Sequence, residues 1–374
     1  MNLSSNTDNP RPIVNSPGAY QWWNFECYDP TQDIFICVQF HIGTIFSGYY
    51  LEALHRYFKQ LPSTQIPFQS SEFNGLKILV VQNRKIICDS LQEFPLSLSV
   101  ASDDQTAMRM GYNRFVESKG APLTYTLTAQ APSRKSGQLF RLKLIFTTLV
   151  PFKASFSFSE YLTHQWIATA PFCQVDGICE WVNLDSGACI KSLPFLGHGH
   201  HDHHYGSIPL FQLADQLDRG FHISKTGGMN YIFFKPKDLD ILIGQFITWN
   251  FSHDPQWIKP KSLSVLKTTH SFFGIAYPKK IQVHLESPTY LSLFSIYRSQ
   301  LVVDHPLYSI CREEIQNTAF ASMGFSTHLA LTRFKKPIFY PFLKASSILI
   351  KPNSSNSILP PDESDVSTAR PPIN

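Results

Sequence analysis

Residues 21–43 read QWWNFECYDPTQDIFICVQFHIG. Two runs rich in aromatic and β-branched residues, Trp22–Tyr28 and Ile34–Ile42, flank the dipeptide Asp29-Pro30. Aromatic and β-branched side chains suit the pleated surface of a sheet, and Asp-Pro favours a turn. The stretch therefore predicts two neighbouring strands joined by a short turn.

Similar strand-like runs, separated by short polar breaks, continue along most of the chain. Helical periodicity is confined to Tyr49–Lys59 and Leu210–Leu217. Many short strands with few short helices favour barrels or sandwiches, so we predict an all-β protein of two packed β-barrel or sandwich domains. The further runs are Leu76–Val81, Lys85–Cys88, Leu123–Ala129, Leu139–Thr148, Ala154–Phe158, Tyr231–Phe234, Ile241–Trp249, Ser271–Ala276, Lys280–Leu285 and Ala345–Ile350.

The length of 374 residues is enough for two modest domains with sizeable cores. Both ends are rich in Asn, Ser and Pro and lack periodicity, which is typical of disorder. We predict a flexible segment at 1–18, an N-terminal domain at 19–208 that ends in a histidine-rich motif, a C-terminal domain at 209–351 and a disordered tail at 352–374.

The composition favours an apolar ligand over a nucleic acid. Aromatic residues make up 14% of the chain and charged residues only 16%, below the roughly 25% of ordinary soluble domains. The net charge is +4 and the basic residues are scattered, so we expect no nucleic-acid partner. No segment has the ~18 uninterrupted apolar residues of a membrane helix, although contact with a membrane surface stays open.

Seven cysteines are present, an odd number without a CxxC pair. No signal peptide is recognisable at the N-terminus. We therefore expect reduced thiols and a cytoplasmic location, with peripheral membrane attachment as the alternative.

The most unusual stretch is GHGHHDHHYG at residues 197–206, which holds five of the 14 histidines. If the stretch is extended, His201, His203 and Tyr205 point to one side of the strand. His200, Asp202 and His204 then point to the other side. Glycines at its ends allow close approach and positive φ angles.

Three interpretations of this stretch compete. Histidine and aspartate are metal ligands, but no HExxH or comparable partner motif accompanies them, and we predict no metal. A polar loop that closes a barrel through hydrogen bonds is the structural alternative. An acid–base cluster, with imidazoles, a phenol and the Asp202 carboxyl in one cavity, is the interpretation that we favour.

Four stretches of the sequence resemble the carotenoid 1,2-hydratase (hydroxyneurosporene synthase) family, whose motif has the form GxGYHDHNWG. Residues 197–206 keep its glycines and its HDH core, with His200 and Tyr205 in place of its Tyr and Trp. Residues 21–26, QWWNFE, resemble the family's EWWYFD stretch. The strand ending FHIG at 40–43 and the segments AP at 170–171 and VDG at 175–177 are also similar, in the same order.

The resemblance implies two lipocalin-like β domains around a hydrophobic pocket. It further implies addition of water to an isolated carbon–carbon double bond of a long isoprenoid, as in natural product biosynthesis, without a cofactor. Such a hydro-lyase protonates the alkene, so it needs an acid kept protonated by burial and aromatic faces that tolerate a carbocation.

The resemblance also implies the site residues. The family's catalytic histidine and tryptophan fall on His203 and Tyr205, and its downstream tyrosine falls on Tyr231. Its downstream aspartate has no counterpart, because Phe233 or Ile232 stands there. The predicted catalytic residues are His203, Tyr205, Asp202, His201, Tyr231 and Glu26, and the predicted substrate-binding residues are Trp22, Trp23, Phe40, His41 and Phe233.

Three functions follow from these expectations. The first is acid/base chemistry on a double bond of an isoprenoid or polyene, with hydration as the reaction and Asp202, Glu26 or a histidinium in place of the missing aspartate. The second is an intramolecular cyclase on the same scaffold, which needs shape and hydrogen-bond donors more than a strong acid. The third is a non-catalytic lipid- or pigment-binding protein. The expected partner is a hydrophobic small molecule, and the oligomeric state cannot be read from the sequence.

Overall fold

A computed structural model describes residues 16–59, 68–102, 107–118, 120–150, 154–157, 163–224, 227–250, 253–287, 290–316 and 323–350. The chain forms two curled, predominantly antiparallel sheets, and the predicted all-β, lipocalin-like fold is confirmed. The interior of each sheet forms its own apolar cluster, and a third cluster joins side chains of both sheets. The predictions for 1–15 and 352–374 lie outside the described residues.

In the described part of the chain, the first sheet has 13 strands. Its hydrogen-bonded order is β22-β4-β3-β2-β1-β12-β11-β9-β8-β7-β6-β5, and β10 pairs with β11. Twelve of its strands come from the first part of the chain: β1 Tyr20–Asp29, β2 Ile34–Ile42, β3 Asn74–Gln82, β4 Lys85–Phe94, β5 Ser99–Ser102, β6 Ala107–Met110, β7 Asn113–Ser118, β8 Thr124–Pro132, β9 Gln138–Thr148, β10 Ala154–Ser157, β11 Gln165–Asn183 and β12 Cys189–Gly206.

Among the described residues, the second sheet has nine strands in the order β16-β15-β14-β13-β21-β20-β19-β18-β17. After it, β22 (Ser347–Leu349) returns to the first sheet and pairs in parallel with β4. The division at 208/209 stays a prediction. The strands of the second sheet are β13 Ala214–Ser224, β14 Gly227–Pro236, β15 Ile243–Asn250, β16 His253–Ile258, β17 Pro260–His270, β18 Ala276–Ser287, β19 Tyr290–Asp304, β20 Tyr308–Gln316 and β21 Met323–Ala330.

The turn between β1 and β2 follows from its sequence. One carboxylate oxygen of Asp29 accepts hydrogen bonds from the backbone N–H groups of Thr31 and Gln32, at 2.8 and 3.1 Å. This is the local bonding by which aspartate stabilises turns. It brings the two aromatic runs into antiparallel pairing, as predicted.

Helices are few and short. The main one, α1 (Gly48–Lys59), matches the predicted helix at Tyr49–Lys59. Its first turn is capped by Ser47, whose hydroxyl accepts from the N–H groups of Tyr49 and Tyr50, each at 3.1 Å. None of the described helices is long and apolar enough to cross a membrane. The other helices are α2 Leu210–Leu213, α3 Leu331–Phe334 and α4 Tyr340–Ser346, with short 3₁₀ helices at Ser70–Glu72, Leu96–Leu98 and Pro337–Phe339.

Two local predictions were wrong. The helix expected at Leu210–Leu217 ends at Leu213, because the following residues pair with both β14 and β21. The strand expected at Ser271–Ala276 is a turn with Gly274 at φ 71°, a left-handed conformation that suits glycine. In both places long-range pairing or turn chemistry outweighs local propensity.

Candidate active site

The side chains of the histidine segment alternate between the two faces of β12. Its partner β1 runs antiparallel to it, with Asn24 opposite Asp202 and Glu26 opposite His200. The ring of His200 lies 4.8 Å from that of Phe221 in the second sheet. The ring of His201 instead stacks at 3.9 Å on Phe25, inside the first sheet. The predicted separation into two sets is therefore observed.

The side of β1 and β12 that faces the second sheet carries a buried polar group of residues, which we call the interface cluster. None of its members is more than 5% exposed. The cluster draws side chains from five strands, which are β1, β2, β11, β12 and β13, and one residue from just before β11. They meet because each of these strands turns one face toward the junction between the two sheets. The interface cluster consists of Trp22, Asn24, Glu26, His41, His164, Trp166, His200, Asp202, His204 and Arg219.

Two glycines of the segment allow this packing by their small size. A Cβ on Gly199 would lie 2.4 Å from the carbonyl oxygen of Glu26, and one on Gly206 would lie 2.5 Å from the hydroxyl oxygen of Tyr20. Neither glycine has a φ in the left-handed region. The close approach that the sequence analysis expected is present, and the positive φ is not.

Arg219 on β13 is the cation of the interface cluster. Its guanidinium donates to Oε1 of Glu26 in a short ion pair and to Oδ1 of Asn24 at 2.8 Å. Its Nη1 lies 3.7 Å from Oδ1 of Asp202. One buried cation thus stands between two carboxyl groups.

The histidines of the interface cluster are held neutral. Burial lowers the pKa of His200 to about 3 and that of His41 to about 3. Burial likewise lowers the pKa of His204 and of His164. A buried imidazolium would add charge in a medium that solvates it poorly, so the proton is released. A histidinium is therefore not the acid that the cluster offers at neutral pH.

The two carboxyl groups of the cluster are shifted in opposite directions. Burial raises the pKa of Glu26, and although Arg219 opposes this effect, the charge of Asp202 reinforces it. Burial also acts to raise the pKa of Asp202, but His204, His200 and Arg219 together hold it well below its usual range. Nε2 of His200 lies 3.8 Å from a carboxyl oxygen of Glu26 and 3.8 Å from one of Asp202. Two carboxyl groups whose pKa values are shifted in opposite directions consequently share one buried site.

Several polar atoms of the cluster have no hydrogen-bond partner within the described part of the chain. They are Nε2 of His41, Nδ1 of His200, Nε2 of His204, Oδ1 of Asp202 and Nη1 of Arg219. Unsatisfied buried donors and acceptors are costly, so groups of this kind are found where a ligand or water completes them. The donor Arg219 and the acceptor Asp202 lie side by side, so together they suit a hydroxyl group or a water molecule as a ligand.

A chain of hydrogen-bonding groups leads away from Asp202. Nε2 of His204 lies 3.3 Å from Oδ2 of Asp202, and Nδ1 of His204 lies 3.1 Å from Nε2 of His164. Nδ1 of His164 lies 2.7 Å from the hydroxyl of Tyr20. Nε2 of His204 forms no hydrogen bond within the described part of the chain. If it closed the gap and donated to the Asp202 carboxylate, Nδ1 of His204 would accept from His164, and His164 would accept from Tyr20.

The residues predicted on the other face of β12 lie inside the first sheet, away from Asp202. The ring of His203 stacks on Trp23 at 4.6 Å, and its Nε2 lies 3.3 Å from Oε1 of Gln21. The ring of Tyr205 lies 5.5 Å from that of His203. Phe40 belongs to the same interior. The catalytic roles predicted for His201, His203 and Tyr205, and the substrate contacts predicted for Trp23 and Phe40, stay predictions.

Tyr231 and Phe233 are also separated from the interface cluster. Both point into the second sheet, where their rings stack at 4.4 Å. The hydroxyl of Tyr231 donates to Glu313 at 2.7 Å, and Glu313 is paired with the buried Arg298. Alternation along β14 explains the separation, because Ile232 and Phe234 take the face toward the junction.

The structure thus brings together Glu26, Asp202, Trp22 and His41 of the predicted residues. Sequence reasoning missed Arg219, His164 and Trp166, whose indole N–H donates to Oδ2 of Asp202 at 2.9 Å. A lone arginine in the strand-like run 217–223 was the available signal for Arg219. No group of three or more His, Cys, Asp or Glu among the described residues is arranged to hold a metal ion, and all seven cysteines are free.

Comparison with known proteins agrees with the predicted resemblance. No family model matches the chain. The chain is 25% identical over 224 residues to hydroxyneurosporene dehydrogenase of Chlorobaculum tepidum. The matched region covers 58% of this chain and 57% of that protein. The match therefore spans little more than half of the relative's length. The resemblance to the carotenoid 1,2-hydratase family is confirmed.

Solved structures share the fold. A Nitrosomonas europaea protein assigned as an AttH matches with a TM-score of 0.58 and 13% identity, over 88% of this chain and 98% of that one. CghA in complex with Sch210972 matches with a TM-score of 0.50 and 9% identity, over 87% and 96%. Kievitone hydratase of Nectria haematococca matches with a TM-score of 0.50 and 7% identity, over 88% and 94%. The scaffold is thus one that a hydratase also uses.

Proposed function

We propose that this chain is an enzyme that performs acid/base chemistry on a carbon–carbon double bond of a hydrophobic isoprenoid or polyene, and that the reaction is hydration. One observation carries the proposal. Glu26 and Asp202 lie in the same buried cluster, with the pKa of Glu26 raised and that of Asp202 lowered. Opposite shifts in a pair of carboxyl groups are a mark of acid and base roles.

Glu26 is the general acid in this proposal. Its carboxyl proton is transferred to one alkene carbon, the two π electrons form the new C–H bond, and the other carbon becomes a carbocation. The aromatic faces of Trp22 and Phe221 and the carboxylate of Asp202 stabilise that positive charge. Glu26 thereby supplies the acid that the family's missing downstream aspartate would have provided.

Water then completes the reaction. Its oxygen bonds to the carbocation, and the resulting oxonium ion loses a proton to Asp202. An oxonium ion is a far stronger acid than a carboxylic acid, so a carboxylate of depressed pKa still accepts that proton. Because the pKa of Glu26 is the higher one, the proton passes on to Glu26 and the starting state is restored.

Cyclisation of a polyene is the second candidate, favoured by the burial of the site. Glu26 is 2% exposed, Asp202 4% and Trp22 3%, which leaves bulk water little access. In a water-poor site a second double bond of the same substrate can attack the carbocation instead, and the proton then leaves from carbon to Asp202. The product has the mass of the substrate.

The test is turnover of a panel of acyclic isoprenoids and polyenes in ordinary and ¹⁸O-labelled water, followed by mass spectrometry. The variants are Glu26→Gln and Asp202→Asn, and the control is Glu314→Gln, which removes an exposed carboxylate from β20. We expect a product heavier by one labelled water, absent from both cluster variants and unchanged in the control. An isomer of unchanged mass that depends on Glu26 supports the cyclase instead. Binding of the panel without turnover contradicts both enzymatic readings and leaves the non-catalytic binding protein.

A further inference from the structure

A cleft of about 390 Å³ opens beside the junction of the two sheets, away from the interface cluster. This is within the size range of small-molecule sites. It is bounded by β3 and β4 of the first sheet, by the β19–β20 connection of the second and by α4. Its lining contains Phe46, Lys77, Asp89, Leu91, Tyr308 and Phe342.

Apolar and polar side chains both line the cleft, and one polar place lies around Lys77. Phe46, Leu91 and Leu343 are buried, and Phe342 stands half-exposed at the rim. The polar place is formed by Lys77, which is ion-paired with Asp89. The ammonium of Lys77 also lies 5.4 Å from the ring centroid of Tyr308. A molecule that carries both an apolar part and a polar group fits this arrangement.

The charges at the polar place are balanced. Lys77 and the more distant Arg134 face the carboxylates of Asp89 and Asp304. Burial lowers the pKa of His305 to about 3 and raises that of Tyr308 to about 12, so both are neutral at pH 7. No net charge is left for a carboxylate or an ammonium group, whereas a hydroxyl can both donate and accept there.

Strand register connects the cleft to the interface cluster. Asp202 lies opposite Asn24, Asn24 opposite Gln39, Gln39 opposite Lys77, and Lys77 opposite Leu91. Directly opposed residues share a face of the sheet, so the whole row faces the junction. Measured along the sheet at about 4.8 Å per strand, Asp202 and Lys77 are about 14 Å apart, and Asp202 and Leu91 are about 19 Å apart.

A second row of contacts leads the same way through aromatic rings. Phe46, which lines the cleft, has its ring centroid 5.4 Å from that of His41. The His41 ring lies 6.1 Å from Trp22, and Trp22 stacks on His204 at 4.6 Å. These contacts form a continuous row of packed, largely buried rings between the cleft and the interface cluster.

We propose that the cleft binds the remote end of the substrate, and that the substrate is an extended isoprenoid or polyene with a hydroxyl group about 14–19 Å from the reacting double bond. This inference rests on the proposed function for the identity of the ligand as substrate. Binding in the cleft itself is measurable without turnover.

The experiment is a fluorescence titration of the full chain with all-trans-retinol, a polyene alcohol, and with retinoic acid, its carboxylate counterpart. Ser346→Trp fills the cleft from an exposed position at the end of α4. Ser264→Trp adds the same side chain at an exposed position of β17, outside the cleft.

We expect retinol to bind at least about tenfold more tightly than retinoic acid, a difference of one bound polar group. Ser346→Trp raises the retinol Kd at least about tenfold, whereas Ser264→Trp leaves it within about twofold. In the turnover assay Ser346→Trp raises KM with little change in kcat, as loss of remote binding does.

Failure of retinol to bind, or an unchanged retinol Kd in Ser346→Trp, overturns the proposal. Equal or tighter binding of retinoic acid overturns the hydroxyl assignment. The proposed function is tested separately by the isoprenoid panel, and it fails if no product depends on Glu26. The effect of Ser346→Trp on retinol binding can still be observed in that case.

Discussion

Arg219 on β13 of the second sheet forms an ion pair with Glu26 on β1 of the first sheet, across 193 positions of sequence. Both side chains are almost fully buried. The contact therefore joins the two sheets, and it also places a fixed positive charge between Glu26 and Asp202. Packing of the two sheets against each other therefore completes the proposed acid/base site.

Loss of Arg219 is expected to destabilise the protein. Arg219→Met leaves Asp202 as a buried carboxylate without its cation, and breaking a buried pair costs about 3–5 kcal/mol. The measurement is urea unfolding followed by tryptophan fluorescence. Arg134→Met, at an arginine that is 57% exposed, serves as the control and is expected to change stability by less than about 0.5 kcal/mol. Equal stability of the two variants would show that Arg219 is not needed to compensate the buried negative charge of the interface cluster.

The pH dependence of turnover is expected to follow Glu26. The acid must be protonated, and burial raises its pKa, so kcat/KM holds through the ordinary carboxyl range and falls as pH rises through the raised value. The acid limb lies far lower, because the pKa of Asp202 is depressed. A pH–rate profile checks this order. Activity that instead rises with pH through the carboxyl range would assign the roles the other way round.

The two faces of β12 are expected to differ in their contribution to the reaction. Asp202→Asn removes the carboxylate from the interface cluster and lowers kcat by at least about a hundredfold. His203→Gln alters a ring that packs on Trp23 inside the first sheet, so we expect kcat within about tenfold of the original and a lower unfolding midpoint. Single-turnover kinetics and thermal unfolding separate the two effects. The reverse pattern would favour the catalytic role that the sequence resemblance implies for His203.

His164 is expected to act as a positioning residue for His204. In His164→Phe, Nδ1 of His204 loses its partner and the imidazole can exchange its tautomer, so we expect kcat to fall roughly tenfold with KM unchanged. His164→Gln, whose amide N–H can donate at a similar place, restores most of the rate. The ¹⁵N NMR shifts of His204 report the tautomer directly. An unchanged tautomer in His164→Phe would remove this role.

The acid stability of the protein is expected to depend on Asp218 inside the second sheet. Burial acts to raise its pKa, but His328 and Arg298 hold it well below its usual range. A carboxyl with a depressed folded-state pKa stabilises the fold above its unfolded-state pKa of about 3.9, and the contribution is lost as pH falls from there toward the folded-state value. Asp218→Asn should therefore flatten the pH dependence of stability below about pH 5.

Urea unfolding between pH 3 and pH 7 measures this slope. Asp240→Asn is the matched control, because Asp240 pairs with Lys235 at the exposed surface of the same sheet. Because solvent screens the exposed Asp240–Lys235 pair, the slope of this variant should stay close to that of the original protein. An unchanged slope in Asp218→Asn would show that the Arg298 network does not govern acid unfolding.

The sequence by itself determined the local features of this protein. Aromatic and β-branched runs specified β1 and β2, and Asp29 specified the turn between them. The period of two along an extended chain separated His200, Asp202 and His204 from His201 and His203 before any contact was known. These features are local because backbone geometry and hydrogen bonds between near neighbours decide them.

Only the tertiary structure decided which of the two faces forms the interface cluster. A one-residue shift in register would exchange the faces, and nothing within residues 197–206 distinguishes them. The second sheet supplies Arg219 to one face and Phe25 covers the other, while alternation along β14 turns Tyr231 and Phe233 away. The pKa of Glu26 depends on the same packing, because burial by distant strands determines both the desolvation and the charges that an ionisable group meets.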